Sequence, residues 1–414
     1  MANDTSADVF ARALRGATSN DSTPASSSPH HPSSNGLGGF LVCLDVPVGT
    51  EFGVDYEVFR TGTAFRGVKF LPLGLHLVVF RARDQRHGVR QGFFLNVTRS
   101  AQLIVREWSA EKEELGPPRA GLNLEHLERA VLSFQLDSGL GAYPMQHYRT
   151  WTRLTKFVSG SVLQRCGVEY GALILPGDSD PLSVAEGQED TSVAPFFPDL
   201  PRTVRFTPLL QKRKKQSAQL SASERTQYHF DRSTRLEELL AHEFDGRWEE
   251  LVGEFQLAFV VFLQLSSLAA LEQWKQFVSL LSACDRALHT QLPLFRAFLK
   301  TFQTQLAQVP EDFFEDASTG DNFLRPCFES LFELLGDADA PPQLERHARQ
   351  LRELVQTRFR LDASALGSEE FAPVVVPEAE LMAALSLQSD GGRASDEAAE
   401  DRANAAIAAA FLRG

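Results

Sequence analysis

Cysteine is scarce in this chain. Its four residues, Cys43, Cys166, Cys284 and Cys327, stand singly in 414 with no C-x-x-C pair. That spacing suggests neither a disulfide framework nor a zinc site, and a reducing compartment is expected. Positive charge is also in the minority, 41 Lys and Arg against 54 Asp and Glu, for a net charge of −13. A chain of that sign repels phosphate backbones, which argues against general nucleic-acid binding. No Walker loop, G-x-S-x-G elbow or H-E-x-x-H is present, and His242-Glu243 lacks the second histidine. Gly36, Gly38 and Gly39 precede an apolar run where a dinucleotide fold would need them to follow a strand. The apolar run Leu257–Leu263 falls far short of the roughly 20 residues of a bilayer span. Residues Met1 to Asn35 are rich in Ser, Pro, Asn and Thr and hold no secretory apolar core, so residues 1–36 read as a disordered tail.

What the chain does have is apolar patterning of two kinds. From Phe40, short runs are broken by Gly and Pro: Phe40–Val46, Val68–Leu73, Leu75–Phe80, Phe93–Val97 and Leu103–Trp108. These predict strands joined at Pro47-Val48-Gly49, Pro72-Leu73-Gly74 and Thr98-Arg99-Ser100, in an antiparallel, sandwich-like arrangement. Helical stretches near Leu122–Leu136 and Thr150–Gln164 close this β-rich domain, assigned to residues 37–175. Residues 176–232 read as a linker in which only Val204-Arg205-Phe206 looks extended and docked.

The period then becomes helical. Leu251, Phe255, Phe259 and Phe262 recur at steps of four, four and three, while Leu257, Val260 and Val261 make the opposite face apolar as well. A helix apolar all round and too short for a membrane is a buried core helix. Leu271, Trp274, Val278 and Leu281 stripe a second helix, for which Ser266 or Ser267 supplies the cap. Leu292, Phe295, Phe298, Phe302 and Leu306 stripe a third, stopped by Pro310. Two further helices, carrying Phe328 and Leu351, meet at Gly336 and Pro341-Pro342. The fold class is therefore α+β in two domains, with an all-α bundle over residues 233–362.

Candidate chemistry is thin. Glu311, Asp312, Glu315 and Asp316 form an acidic group that reads better as a helix corner with Asp caps than as an acid and base pair, which would need a pocket and a raised pKa. Phe313 and Phe314 between them are core anchors or a partner-binding tip. His30-His31 sits in the expected disordered tail and the remaining histidines are isolated, so no metal is implied. Asn96-Val97-Thr98 is a glycosylation triplet, read here as a strand end. The run Lys212, Arg213, Lys214, Lys215 is a solvated linker feature or a nuclear localisation signal. Residues 363–378 hold a lone β-branched segment, Val374-Val375-Val376, bracketed by Pro373 and Pro377. Residues 379–414 are Ala-rich and acidic, weakly helical or disordered.

Four blocks of residues, in order along the chain, resemble the AAR-two splicing-factor family, the assembly factors of the U5 small nuclear ribonucleoprotein. They are Val46–Tyr56, Phe65–Lys69, Gly253–Trp274, and Val309-Pro310 with Asp312-Phe313-Phe314 and Asp321–Leu324. Ala372–Val376 is similar to that family's C-terminal tail. The resemblance implies a non-enzymatic chaperone without cofactors, active in cytoplasm and nucleus. It also implies a partner, the large U5 scaffold protein, bound at its RNase H-like and Jab/MPN-like domains so that the U5 helicase is kept from docking early. The family's tail is extended and adds to a sheet of that partner, which makes Phe371, Val374, Val375 and Val376 candidate partner contacts, with Phe313, Phe314 and Phe323 beside them.

Overall fold

The computed structural model describes residues 38–82, 90–174, 204–209, 231–311, 323–336 and 339–359. All of them belong to one unit, spanning Met1–Leu366. The expected disordered tail, Lys212–Lys215, Asp312, Phe313, Phe314, Asp316, Phe371, Val374–Val376 and the acidic extension lie outside the described residues.

Among the described residues, nine strands form two sheets. They are β1 (Gly39–Leu44), β2 (Glu51–Val54), β3 (Glu57–Arg60), β4 (Gly67–Leu71), β5 (Gly74–Arg81), β6 (Gln91–Val97), β7 (Leu103–Ser109), β8 (Glu114–Gly116) and β9 (Leu140–Ala142). One sheet has the order β8-β7-β1-β4-β9 and the other β3-β2-β5-β6. The four-stranded sheet is antiparallel throughout, as expected. The five-stranded sheet is mixed, because β1 pairs in parallel with β7, and β4 with β9. Both parallel neighbours are reached over long stretches of chain, which parallel pairing requires and hairpin logic does not anticipate.

Side-chain alternation sorts the layers. In β1, Leu41 and Cys43 face the four-stranded sheet, while Phe40 and Val42 face away and are covered by Val131 and Leu127 of α1 (Leu124–Leu132). In β5, Val78 and Phe80 fill the space between the sheets, whereas Leu77 and Val79 join the helical core. A strand buried on both faces reads as a continuous apolar run, as Leu77–Phe80 does. The register of β1 on β4 shifts by one residue at Gly39/Phe40, and Phe70, with φ 64°, is the extra residue; its ring lies 5.9 Å from that of Phe40.

The helices that follow are α2 (Met145–Leu154), α3 (Gly160–Arg165), α4 (Ser233–Glu243), α5 (Trp248–Leu265), α6 (Leu268–Leu281), α7 (Asp285–Thr290), α8 (Leu292–Leu306), α9 (Leu324–Gly336) and α10 (Pro342–Phe359). Every residue of α5 from Glu250 to Leu265 is buried. Among the described residues no helix is long and apolar enough to cross a membrane. Ser266 ends α5 in the left-handed region, and Ser267 is the cap of α6, accepting from the Ala270 N–H at 3.2 Å. Phe255 of α5 stacks parallel to Trp274 of α6 and tilts against Phe298 of α8. The core so built runs without a break from Leu77, Val79 and Phe94 of the sheet to Val355 and Phe359 of α10.

One expected helix divides. Thr150–Gln164 is not continuous, because the chain turns between α2 and α3. Gln256 of α5 fills the break: its Nε2 donates to the Arg153 carbonyl at 2.9 Å, and its Oε1 accepts from the Phe157 N–H at 2.7 Å. Those are the backbone groups that a helix end leaves without partners. The close approach needs a glycine one turn away, since a Cβ on Gly253 would lie 2.3 Å from the Phe157 carbonyl oxygen.

Candidate functional site

A carboxylate in the middle of an all-apolar helix must find donors or lose its charge. Glu254 of α5 has no exposed surface and finds four of them. Arg165 Nη1 donates to Oε2 at 2.6 Å, the Thr207 hydroxyl to the same oxygen at 2.8 Å, the Thr207 N–H to Oε1 at 2.7 Å, and Gln273 Nε2 to Oε1 at 3.2 Å. Burial raises the Glu254 pKa, and the Arg165 charge and the Thr207 hydrogen bonds oppose it. Because every neighbour donates, the geometry is that of an ionised, acceptor-only carboxylate.

This junction binds three parts of the chain. Arg165 ends α3 and lies 4.3 Å over the Phe244 ring; Thr207 belongs to the docked piece 204–209, whose Arg205 N–H donates to the Cys166 carbonyl at 2.8 Å; Glu254 and Gln273 come from α5 and α6. At the surface the network opens into a depression of about 230 Å³ beside Ser161, Arg165, Arg247 and Glu250. That is small for an organic substrate. Sequence reading anticipated the docked piece but not its anchor, although Glu254 and Gln256 inside an apolar run were the signal.

A second buried cluster pins the two sheets together. His76 Nδ1 lies 2.8 Å from Asp55 Oδ2 and its Nε2 lies 2.7 Å from the Pro72 carbonyl. The Tyr143 hydroxyl donates to Asp55 Oδ2 at 2.5 Å and the Leu77 N–H to Oδ1 at 2.9 Å. Both ring nitrogens of His76 face acceptors, an arrangement that favours the doubly protonated imidazolium. Burial would lower its pKa; the Asp55 hydrogen bond and charge, with the Pro72 carbonyl, outweigh burial and raise it. A histidine with no exposed surface and both nitrogens engaged presents no free lone pair to a substrate, so its role is to hold structure.

Of the sequence-predicted site residues, Phe323 is described: half-buried against the core, 6.1 Å edge-on from the Trp274 ring, with Lys275 Nζ 4.7 Å over its face. The four cysteines are free thiols. Burial raises their pKa, to about 11 at Cys327 and further at Cys43, Cys166 and Cys284, which suppresses the thiolate. Among the described residues no group of three His, Cys, Asp or Glu is placed to hold a metal.

Residues 37–168 match the family model described as the AAR2 N-terminal domain, and residues 206–364 match the AAR2 C-terminal repeat region. The chain is 30% identical over 364 residues to the mouse protein named Protein AAR2 homolog, an alignment covering 82% of this chain and 93% of the relative. The human protein of that name is 30% identical over 363 residues, covering 82% and 93%. The Caenorhabditis elegans one is 29% identical over 344 residues, covering 78% and 94%. The Arg165–Glu254 pair joins one matched region to the other.

Proposed function

The chain belongs to the AAR2 family, and from that premise we propose that it is a non-enzymatic assembly factor of the U5 small nuclear ribonucleoprotein in pre-mRNA splicing. It binds the large U5 scaffold protein at its RNase H-like and Jab/MPN-like domains and keeps the U5 helicase from docking early. The observation that carries this reading is the ordered match of both family regions over most of the chain, with relatives aligned over nearly their full length. The buried ionisable groups support it: Glu254 and His76 spend their hydrogen bonds on neighbouring backbone and side chains, which suits a binding scaffold.

Contact with the scaffold runs through the tail, Phe371 with Val374, Val375 and Val376, added as a strand to a sheet of the partner. Phe313, Phe314 and Phe323 form a further contact group. The factor works in cytoplasm and nucleus, with Lys212, Arg213, Lys214 and Lys215 assisting import; a fluorescent fusion with all four changed to Ala should be depleted from nuclei, and an unchanged distribution would refute that role. The functional test is a pull-down from native lysate read by mass spectrometry. Recovery of the U5 scaffold without the helicase supports the proposal, and absence of the scaffold overturns it.

A further inference from the structure

Residues 204–209 are held to the fold as a bound peptide is. They belong to none of the helices or strands. Val204, Thr207 and Leu209 are buried, Phe206 is half-buried, and Arg205 and Pro208 are exposed. The Arg205 N–H donates to the Cys166 carbonyl, but the other main-chain contacts end on side chains of α4, α5 and α6. Glu254 Oε1 accepts from the Thr207 N–H at 2.7 Å, and Gln273 Nε2 donates to the Thr207 carbonyl at 2.8 Å. Arg235 donates from Nε to the Leu209 carbonyl at 2.9 Å and from Nη2 to the Pro208 carbonyl at 3.3 Å. A surface loop ordinarily satisfies its backbone through its own turns or through water, whereas a groove that reads a peptide supplies the partners itself.

The groove reads side chains as well. Val204 and Leu209 are anchored in the helical core, and between them the Thr207 hydroxyl donates to Glu254 and accepts from Arg165 Nη1 at 3.1 Å. Pro208 biases Thr207 towards extended backbone, so the segment is partly shaped for the groove before it docks. Its seating is imperfect: Arg165 Nε and Gln273 Oε1 are buried with no hydrogen-bond partner among the described residues. Each has given up water without a replacement, which offsets part of what the other contacts contribute. Residues 175–203 on one side and 210–230 on the other are chain enough to let the segment leave while α3 and α4 stay in place.

We propose that the groove between α3, α4, α5 and α6 is a peptide-binding site whose resident ligand is the chain's own segment 204–209, an exchangeable strap. The chemistry it admits is an extended segment with two apolar anchors, a hydroxyl residue between them and main-chain groups free to meet Glu254, Gln273 and Arg235. With the strap lifted, Glu254 and Gln273 face water and the groove is open to another segment of that pattern. The site is separate from the tail strand and does not depend on the identity of the scaffold.

The test uses the purified full chain and a fluorescein-labelled peptide of residues 202–211, read by anisotropy. In the wild type the strap competes from within the chain, so the peptide should bind weakly. Val204→Asp/Leu209→Asp in the chain unseats the strap and leaves the groove walls unaltered, and should tighten peptide binding by about tenfold or more. Thr207→Val in the peptide should weaken that binding by about tenfold, because the hydroxyl contact with Glu254 is lost. Native-state hydrogen exchange by NMR reads the same opening without a substitution: the Thr207 N–H of the wild type should exchange faster than those of Phe255 and Phe259 in the middle of α5. Loss of cooperative unfolding in the strap variant would show that the body does not fold without the strap, and would overturn the proposal. So would peptide binding that is absent, equal in the two chains or indifferent to Thr207, or a Thr207 N–H that exchanges only as slowly as those of α5.

Discussion

At the scale of the residue, the molecule stakes much on two buried charges. His76 has a raised pKa in the folded state, so the native protein holds a proton that the unfolded chain, titrating near the ordinary value of about 6.5, releases. Stability from this source is therefore fully present below about pH 6.5 and is lost as pH rises through the folded-state pKa. Urea unfolding measured across that window should show a falling stability for the wild type and a flatter profile for Asp55→Asn, which removes the charge facing the ring. Glu254 is the other case. Glu254→Ala strands Arg165 and the Thr207 N–H, and breaking a buried pair by removing one partner costs about 3–5 kcal/mol, readable as a lowered denaturation midpoint. Neither charge was assigned from sequence. Asp55, His76 and Tyr143 are far apart in the chain and meet only when the sheets stack, whereas Glu254 was visible as a polar interruption whose partners were not.

At the scale of the element, legibility followed periodicity. Helix α5 and its partners α6 and α8 were readable because their apolar stripes persist over several turns, and tertiary packing reinforces the same pattern. Strands β2 and β3 were not, because Glu51–Val54 contains Gly53 and the hairpin turns through Asp55-Tyr56 without an Asn-Gly signal. The division of α2 from α3 was hidden for a different reason: the side chain that stabilises the break, Gln256, sits about a hundred residues away in α5. Gly253 belongs to the same contact. Alanine is ordinarily better than glycine inside a helix by about 1 kcal/mol, yet here the added Cβ meets the Phe157 carbonyl. Gly253→Ala should therefore destabilise the fold, on the order of 2 kcal/mol by thermal unfolding, and a stabilising outcome would show that α3 moves freely relative to α5.

At the scale of the whole molecule, the two matched family regions act as one body: a shared core crosses from sheet to helices, and the Arg165–Glu254–Thr207 junction fastens them. The partner-binding role proposed for Phe371 and Val374–Val376 falls on residues outside the described ones. Full burial of a valine is worth roughly 1.5–3 kcal/mol, so Val374→Asp/Val376→Asp should weaken scaffold binding by about 10²-fold or more. Calorimetry should find the melting temperature unchanged; a lowered one would mean that the segment completes the chain's own sheet. The tail reads as a strand candidate from its β-branched residues and lies outside the described residues, and its role rests on family resemblance, because a short strand does not specify which sheet it joins.

The central claim is that this chain occupies the scaffold and thereby excludes the helicase. It is tested most directly with purified components: a fragment of the U5 scaffold carrying its RNase H-like and Jab/MPN-like domains, the U5 helicase, and increasing amounts of this chain, with helicase retained on immobilised scaffold as the readout. Retained helicase should fall as the chain is added, and the Val374→Asp/Val376→Asp chain should require about 10²-fold more to do so. Helicase and chain held together on the same scaffold at saturation would contradict it.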